Sequence, residues 1–306
     1  MTSSRRFLDP KVLDKISRLE LRARRVVEGF LSGRHRSPYH GVSVEFAEHR
    51  EYVPGDDLRH LDWKVYGKTD RHYIKRYEEE TSLTCTLVVD GSRSMGYAGE
   101  GRMSKFDYAA TAAASLAYLV LRQQDFVGLA VFDERIRSYL PPSNNPAHLK
   151  AVAHALEEGA RAPKTDLELV LSEVASRTRQ RGMVVLISDL FDGPERILSG
   201  LRKVRAREMD VVVFHVLDGD ELTFPFKRFY RFEGMEDDRR LTADARALRA
   251  EYLAALNAFV DRMRRGCLGH GMDYRLLDTG QFLDVALTAF LAARARGAAR
   301  RVRGRG

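Results

Sequence analysis

Two apolar runs in this chain end on an aspartate, and that pairing constrains the fold more than any other feature. The first is Leu83–Asp90, in LTCTLVVDGSRSMGY, and the second is GMVVLISD, closing on Asp189. A continuous apolar run of this length, bounded by polar residues, reads as a strand buried on both faces. Behind Asp90 come Ser92 and Ser94 at two-residue spacing, and behind these an alanine-rich segment from about Met103. Strand, tight polar loop and helix would set Asp90, Ser92 and Ser94 at the C-terminal edge of a sheet. Ligands of open α/β sheets bind at that edge. A carboxylate with two hydroxyls is an all-oxygen donor set, which suits a hard divalent cation. Thr165, in APKTDLELVL, stands just before an amphipathic pattern. It reads equally as a helix N-cap or as a further oxygen donor.

The alternation continues to the end of the chain. Strands are expected at 83–90, 125–132, 135–140, 183–187, 210–217 and 272–277. Helices are expected at 104–123, 147–157, 166–177, 194–207, 242–266 and 281–294, and PPSNNP (141–146) as a loop by composition. Strands alternating with helices predict a doubly wound, mostly parallel α/β sheet from residue 83 to about 296. The first 82 residues read differently. A helical pattern covers 9–31, and turn-broken alternation follows, so they are expected to form a helix-plus-strand extension packed on the core. Residues 297–306 belong to an arginine-rich tail.

The formal charge is +8, but the last 14 residues carry six arginines and no acid, which leaves the rest near +2. A clustered arginine tail can bind nucleic acid, anionic lipid or an acidic protein face. It reads equally as a solvated end. There is no run of about twenty apolar residues, and MTSSRRFLDP has no apolar segment after its arginines. A cytoplasmic protein without a transmembrane helix is therefore expected. The two cysteines, Cys85 and Cys267, suggest neither a disulfide framework nor a zinc knuckle. Five histidines lie before residue 73, none at convincing zinc spacing with a cysteine.

EFAEHREYVPGDDLRHLDWKVYGKTD (Glu45–Asp70), YEEE (Tyr77–Glu80) and VVDGSRSM (Val88–Met95) together resemble the signature of the "domain of unknown function 58" proteins. These are bacterial and archaeal relatives of the von Willebrand factor A domain. The likeness continues at KTDLELVL, VLISDLFD and HVLDGDELTFPF, and spans about Phe46 to Leu277. It implies a von Willebrand factor A-like fold and a metal-ion-dependent adhesion site. In that site Ser92, Ser94 and Thr165 would touch Mg²⁺ (or Mn²⁺ or Ca²⁺), and Asp90 and Asp189 would act largely through water. The remaining position would take an Asp or Glu from a partner protein. At family level the partner is expected to be a MoxR-like AAA+ ATPase, which makes the chain a non-enzymatic adaptor.

The residues also bear on two other functions. SRSMG approaches the Gly-x-Ser-x-Gly elbow of α/β-hydrolases, with Ser94 as nucleophile and Asp218 and His270 following in order. Ser92 stands where that turn favours glycine, no HGGG-type loop precedes it, and Asp90 would be idle. Nucleic-acid binding through the tail would need a basic face on a core that is nearly neutral. A P-loop is excluded, because no G-x-x-x-x-G-K-[ST] occurs.

Overall fold

Alternation along each strand decides where the core lies. In the computed structural model, described over residues 19, 23, 46–53, 65–67, 73–77, 82–158, 165–178, 182–235 and 239–287, the chain divides into two compact units. One is Tyr39–Ser82. The other joins Met1–Pro38 to Leu83–Gly306. In the smaller unit, β1 (Phe46–Glu51) pairs antiparallel with β2 (Tyr73–Tyr77). The PGDD stretch (54–57) lies outside the described residues.

The larger unit is built on a six-stranded sheet. Its strands are β3 (Thr84–Asp90), β4 (Phe126–Phe132), β5 (Ile136–Ser143), β6 (Met183–Ser188), β7 (Asp210–Leu217) and, after a separate hairpin, β10 (Asp273–Asp278). The hairpin is β8 (Phe229–Glu233) with β9 (Arg240–Asp244). The sheet order is β10-β7-β6-β3-β4-β5, parallel throughout except for the antiparallel edge strand β5. The doubly wound, mostly parallel α/β class expected from the sequence is the observed one. From β3 the chain runs outward to β4 and β5, then returns to place β6 on the other side of β3. That reversal is a topological switch point between β3 and β6, where such sheets bind ligands.

Cys85, Leu87 and Val89 of β3 bury into one apolar cluster and Val88 into another, one on each face of the sheet. The first face is covered by α1 (Lys105–Arg122) and α2 (His148–Glu158). Six buried alanines of α1, from Ala109 to Ala117, let that helix approach the sheet closely. The second face is covered by α3 (Leu167–Arg177), α4 (Pro194–Arg205) and α6 (Ala245–Gly269). A short α5 (Gly219–Thr223) follows β7. A Cβ on Gly200 would come within 2.9 Å of Leu171, so α3 and α4 pack closer there than a side chain permits. Leu19 and Ala23 are helical and fully buried in the first cluster. The rest of the expected 9–31 helix lies outside the described residues.

Three local expectations are corrected. Pro141 and Pro142 belong to β5 rather than to a loop. Proline is tolerated there because an edge strand can leave one side unpaired. The long helix starts at Ala245, because Thr242 is paired in β9 and Asp244 caps the helix through Arg246 N–H. The β8–β9 hairpin was not anticipated: Phe229, Tyr230 and Leu241 are exposed, so its pattern lacks buried alternation. Residues 283–287 are helical, and the remainder of the expected last helix and the arginine tail lie outside the described residues. Among the described residues no helix is long and apolar enough to cross a membrane.

Candidate metal centre

β3 and β6 run side by side and both deliver their last residues to the switch point. Asp90 is fully buried. Its Oδ1 accepts the Ser92 N–H at 2.9 Å and its Oδ2 accepts the Ser188 hydroxyl at 2.5 Å. The carboxylate is thus fixed by the loop that follows β3 and by the neighbouring strand. Burial, then the charge of Asp189, push its pKa up to about 7. A carboxylate so placed gains by the arrival of a cation. A short 3₁₀ turn, Arg93–Gly96, follows, and it brings Ser92 Oγ and Ser94 Oγ to 3.1 Å, both buried.

Thr165 is not a cap. Asp166 is the N-cap of α3, its Oδ1 accepting Leu169 N–H at 3.0 Å. The Thr165 hydroxyl is buried and has no hydrogen-bond partner among the described residues. An unpaired buried hydroxyl is costly and asks for a ligand or a reason. The start of α3 is tied to the loop after β6 by Leu167 N–H donating to Asp192 Oδ2 at 3.4 Å.

Asp189 follows β6 directly. Its neighbour Leu190, fully buried, has φ +55°, a left-handed conformation that is unusual for a residue with a Cβ. Strain of this kind gathers where backbone aims a functional group. Asp189 Oδ2 accepts Lys105 Nζ at 2.8 Å, and the same ammonium reaches Glu221 Oε1 at 2.8 Å. Lys105 is 2% exposed. Burial works against its charge, but the two carboxylates outweigh that and raise its pKa. His215, on β7, is buried and supports the same loop: its Nε2 lies 3.0 Å from the Asp189 carbonyl, and its Nδ1 lies 2.6 Å from the Tyr274 hydroxyl. A carbonyl can only accept, so Nε2 carries the proton and Nδ1 accepts from Tyr274.

Arg102, which follows the serine loop, is held in ion pairs. It is bound by Asp218 (Nη2 to Oδ1 2.8 Å, Nε to Oδ2 3.2 Å) and by Asp220. Asp218 also accepts Gly99 N–H and the Thr279 hydroxyl. These bonds clamp the segment after the serine loop to the β7–α5 turn and the end of β10. They also spend Asp218, while His270 lies exposed at the end of α6. The hydrolase order Ser94, Asp218, His270 is therefore not assembled into a triad.

The residues fit a divalent cation in donor chemistry: a hydroxyl pair, an unpartnered buried hydroxyl and a buried carboxylate. Among the described residues no group of three or more His, Cys, Asp or Glu is placed to hold a metal. A site of this kind draws its donors from hydroxyls instead. Next to it, Asp189, Phe191, His215, Glu221, Tyr252 and Phe259 line part of a mostly apolar cavity of about 440 Å³, with Phe191 64% exposed. Lys105, Ser188, His215 and Glu221 were missed from sequence. A signal existed for Lys105: a lysine one residue after a helix N-cap opposes the helix dipole, so it calls for an acid nearby.

Comparison with known proteins gives the family. An uncharacterized protein of Mycobacterium tuberculosis, Rv1480, is 30% identical over 298 residues, covering 95% of this chain and 92% of its own length. The corresponding uncharacterized protein of Mycobacterium bovis, Mb1516, matches to the same extent. Among solved structures, the chain is similar to the conserved hypothetical protein BatB from Bacteroides thetaiotaomicron (TM-score 0.45, 14% identity, 71% of this chain and 100% of that one). It is also similar to the SpRpn10 VWA domain (TM-score 0.40, 10% identity, 70% and 95%). The family model described as "Protein of unknown function DUF58" matches residues 48–259, more than half of the chain. The chain belongs to that family.

Proposed function

We propose that this protein is a metal-dependent protein-interaction module. Ser92, Ser94 and Thr165 would contact Mg²⁺, or Mn²⁺ or Ca²⁺ in its place, with Asp90 and Asp189 in support largely through water. The observation that carries this reading is the buried, partnerless Thr165 hydroxyl at the edge that also presents the paired serine hydroxyls. Neutral hydroxyl ligands leave a cation with residual positive charge, and an acid from a partner protein is the natural last ligand. Phe191 and the apolar cavity beside Asp189 supply the uncharged contact area that interfaces build around such an anchor. We take the role to be binding rather than turnover, in the cytoplasm, with a MoxR-like AAA+ ATPase as the expected partner.

Losing a buried charged contact at an interface commonly costs about 2–5 kcal/mol, which is roughly 30- to several-thousand-fold in affinity. Pull-down from native extract, with and without chelator, tests the reading. Chelation, Asp90→Ala and Ser94→Ala should each weaken capture of the same partner, and deleting residues 297–306 should do little. If chelation leaves binding intact while the tail deletion abolishes it, the arginine tail is the recognition element.

A further inference from the structure

Lys105 is a fully buried ammonium for which neither the family's expected ligand set nor the packing of α1 gives a role. It sits in the first turn of α1, where a cation opposes the helix dipole. Lysine is almost never this buried unless paired. Its two partners come from different elements: Asp189 from the end of β6 and Glu221 from α5, each at 2.8 Å. Stability is a weak reason for such a triad, because an apolar replacement of similar volume often does as well as a buried ion pair. Charge at the neighbouring site is a stronger one. Asp189 is bound to a cation of the protein's own. Asp90 is held by Ser92 and Ser188 through hydrogen bonds and makes no ion pair among the described residues.

We propose that Lys105 sets the charge of the metal site: by holding the Asp189 carboxylate with an ammonium of the protein's own it leaves Asp90 as the one candidate carboxylate without an ion pair among the described residues, so a bound divalent cation keeps more of its positive charge for an incoming carboxylate. This rests on the metal-site reading and adds a specificity-determining residue to it. Lys105 weakens cation binding and strengthens capture of an acid. The two effects have opposite signs, which a merely structural role would not produce.

The test uses the full chain and two probes: Mn²⁺, followed by the electron-spin resonance of the free ion, and acetate, followed by its reduction of water-proton relaxation in the Mn²⁺-loaded protein. Lys105→Met should tighten Mn²⁺ by roughly tenfold, the scale of one freed carboxylate near a partly buried ion, and should weaken acetate several-fold. Lys105→Met with Glu221→Gln keeps the net charge of the wild-type triad and removes the second stranded acid. It should show the same two shifts and guards against misfolding of the single variant. Lys105→Arg should behave like wild type in both. Unchanged Mn²⁺ and acetate affinities in the folded double variant, or a loss of both together, would overturn the role of Lys105 and leave the metal site standing. Failure of the wild type to bind Mn²⁺ would overturn both.

Discussion

Asp90 on β3 and His215 on β7 are buried on the two strands that flank β6, and their titrations pull stability in opposite directions. Burial, then the field of Asp189, raise the Asp90 carboxyl to about 7. In metal-free protein its contribution is therefore full below its ordinary value near 3.8 and is lost as pH rises towards 7. Burial lowers His215 to about 4 from 6.5. Its contribution is full above 6.5 and is lost as pH falls towards 4. The two slopes have opposite sign, so across pH 4–6.5 they largely offset. Chemical denaturation of metal-free protein should find a flat profile there for wild type. Asp90→Asn should expose stability that rises with pH, and His215→Gln stability that falls. Parallel profiles for all three would refute the opposed titration. Asp90, Ser92, Ser94 and Asp189 were legible in the sequence because each sits within a few residues of an apolar run. The Lys105–Asp189 pair joins positions 84 residues apart, and His215 reaches Asp189 only because β6 and β7 are neighbours. Chain order carries neither fact.

The elements that hold the serine loop are the next scale. Asp218 caps α5, accepts Gly99 N–H and Thr279, and binds Arg102. Burial alone would raise its carboxyl, but these bonds hold it below the usual carboxylate range. Asp218→Ala should cost roughly 2–3 kcal/mol, because it removes the cap of α5 and leaves the Gly99 N–H and the buried Thr279 hydroxyl without their acceptor. It should also speed amide exchange across residues 97–102 while β3 stays protected. If residues 97–102 exchange as in wild type, the clamp is not what orders the loop. Strand and helix limits near the site were legible to within a few residues, since Ser104 and Asp166 are true caps and the strands are apolar throughout. The hairpin and the start of α6 were not. Thr242 fits a helix pattern locally, and its pairing with Arg231 overrides that preference.

At the scale of the whole molecule, the sheet order gives the fold its switch point between β3 and β6, and the N-terminus takes part in the core. Leu19 and Ala23 lie in the same apolar cluster as β3 and α1. Protease cleavage within Tyr39–Ser82 should therefore leave the N-terminal fragment bound to the C-terminal one in gel filtration, the two separating only in denaturant. Separation under native conditions would show that the N-terminal segment is dispensable to the core. The class of fold was legible because strands buried on both faces need helices on both. The division of the chain was not, since Leu19 and Ala23 join the core from beyond a unit of their own chain.

The central claim is that this edge of the sheet holds a divalent cation, and Thr165→Val tests it most directly. Valine keeps the shape of threonine and removes a buried hydroxyl that has no hydrogen-bond partner among the described residues. Removing an unsatisfied buried hydroxyl is neutral or stabilising for the fold. Titration calorimetry with Mg²⁺ or Mn²⁺ should then show one site in wild type. In Thr165→Val it should be weakened at least about tenfold, the loss of roughly one ligand's 1.4 kcal/mol or more, with a melting temperature no lower than wild type. Equal metal affinity in the two proteins would contradict the account.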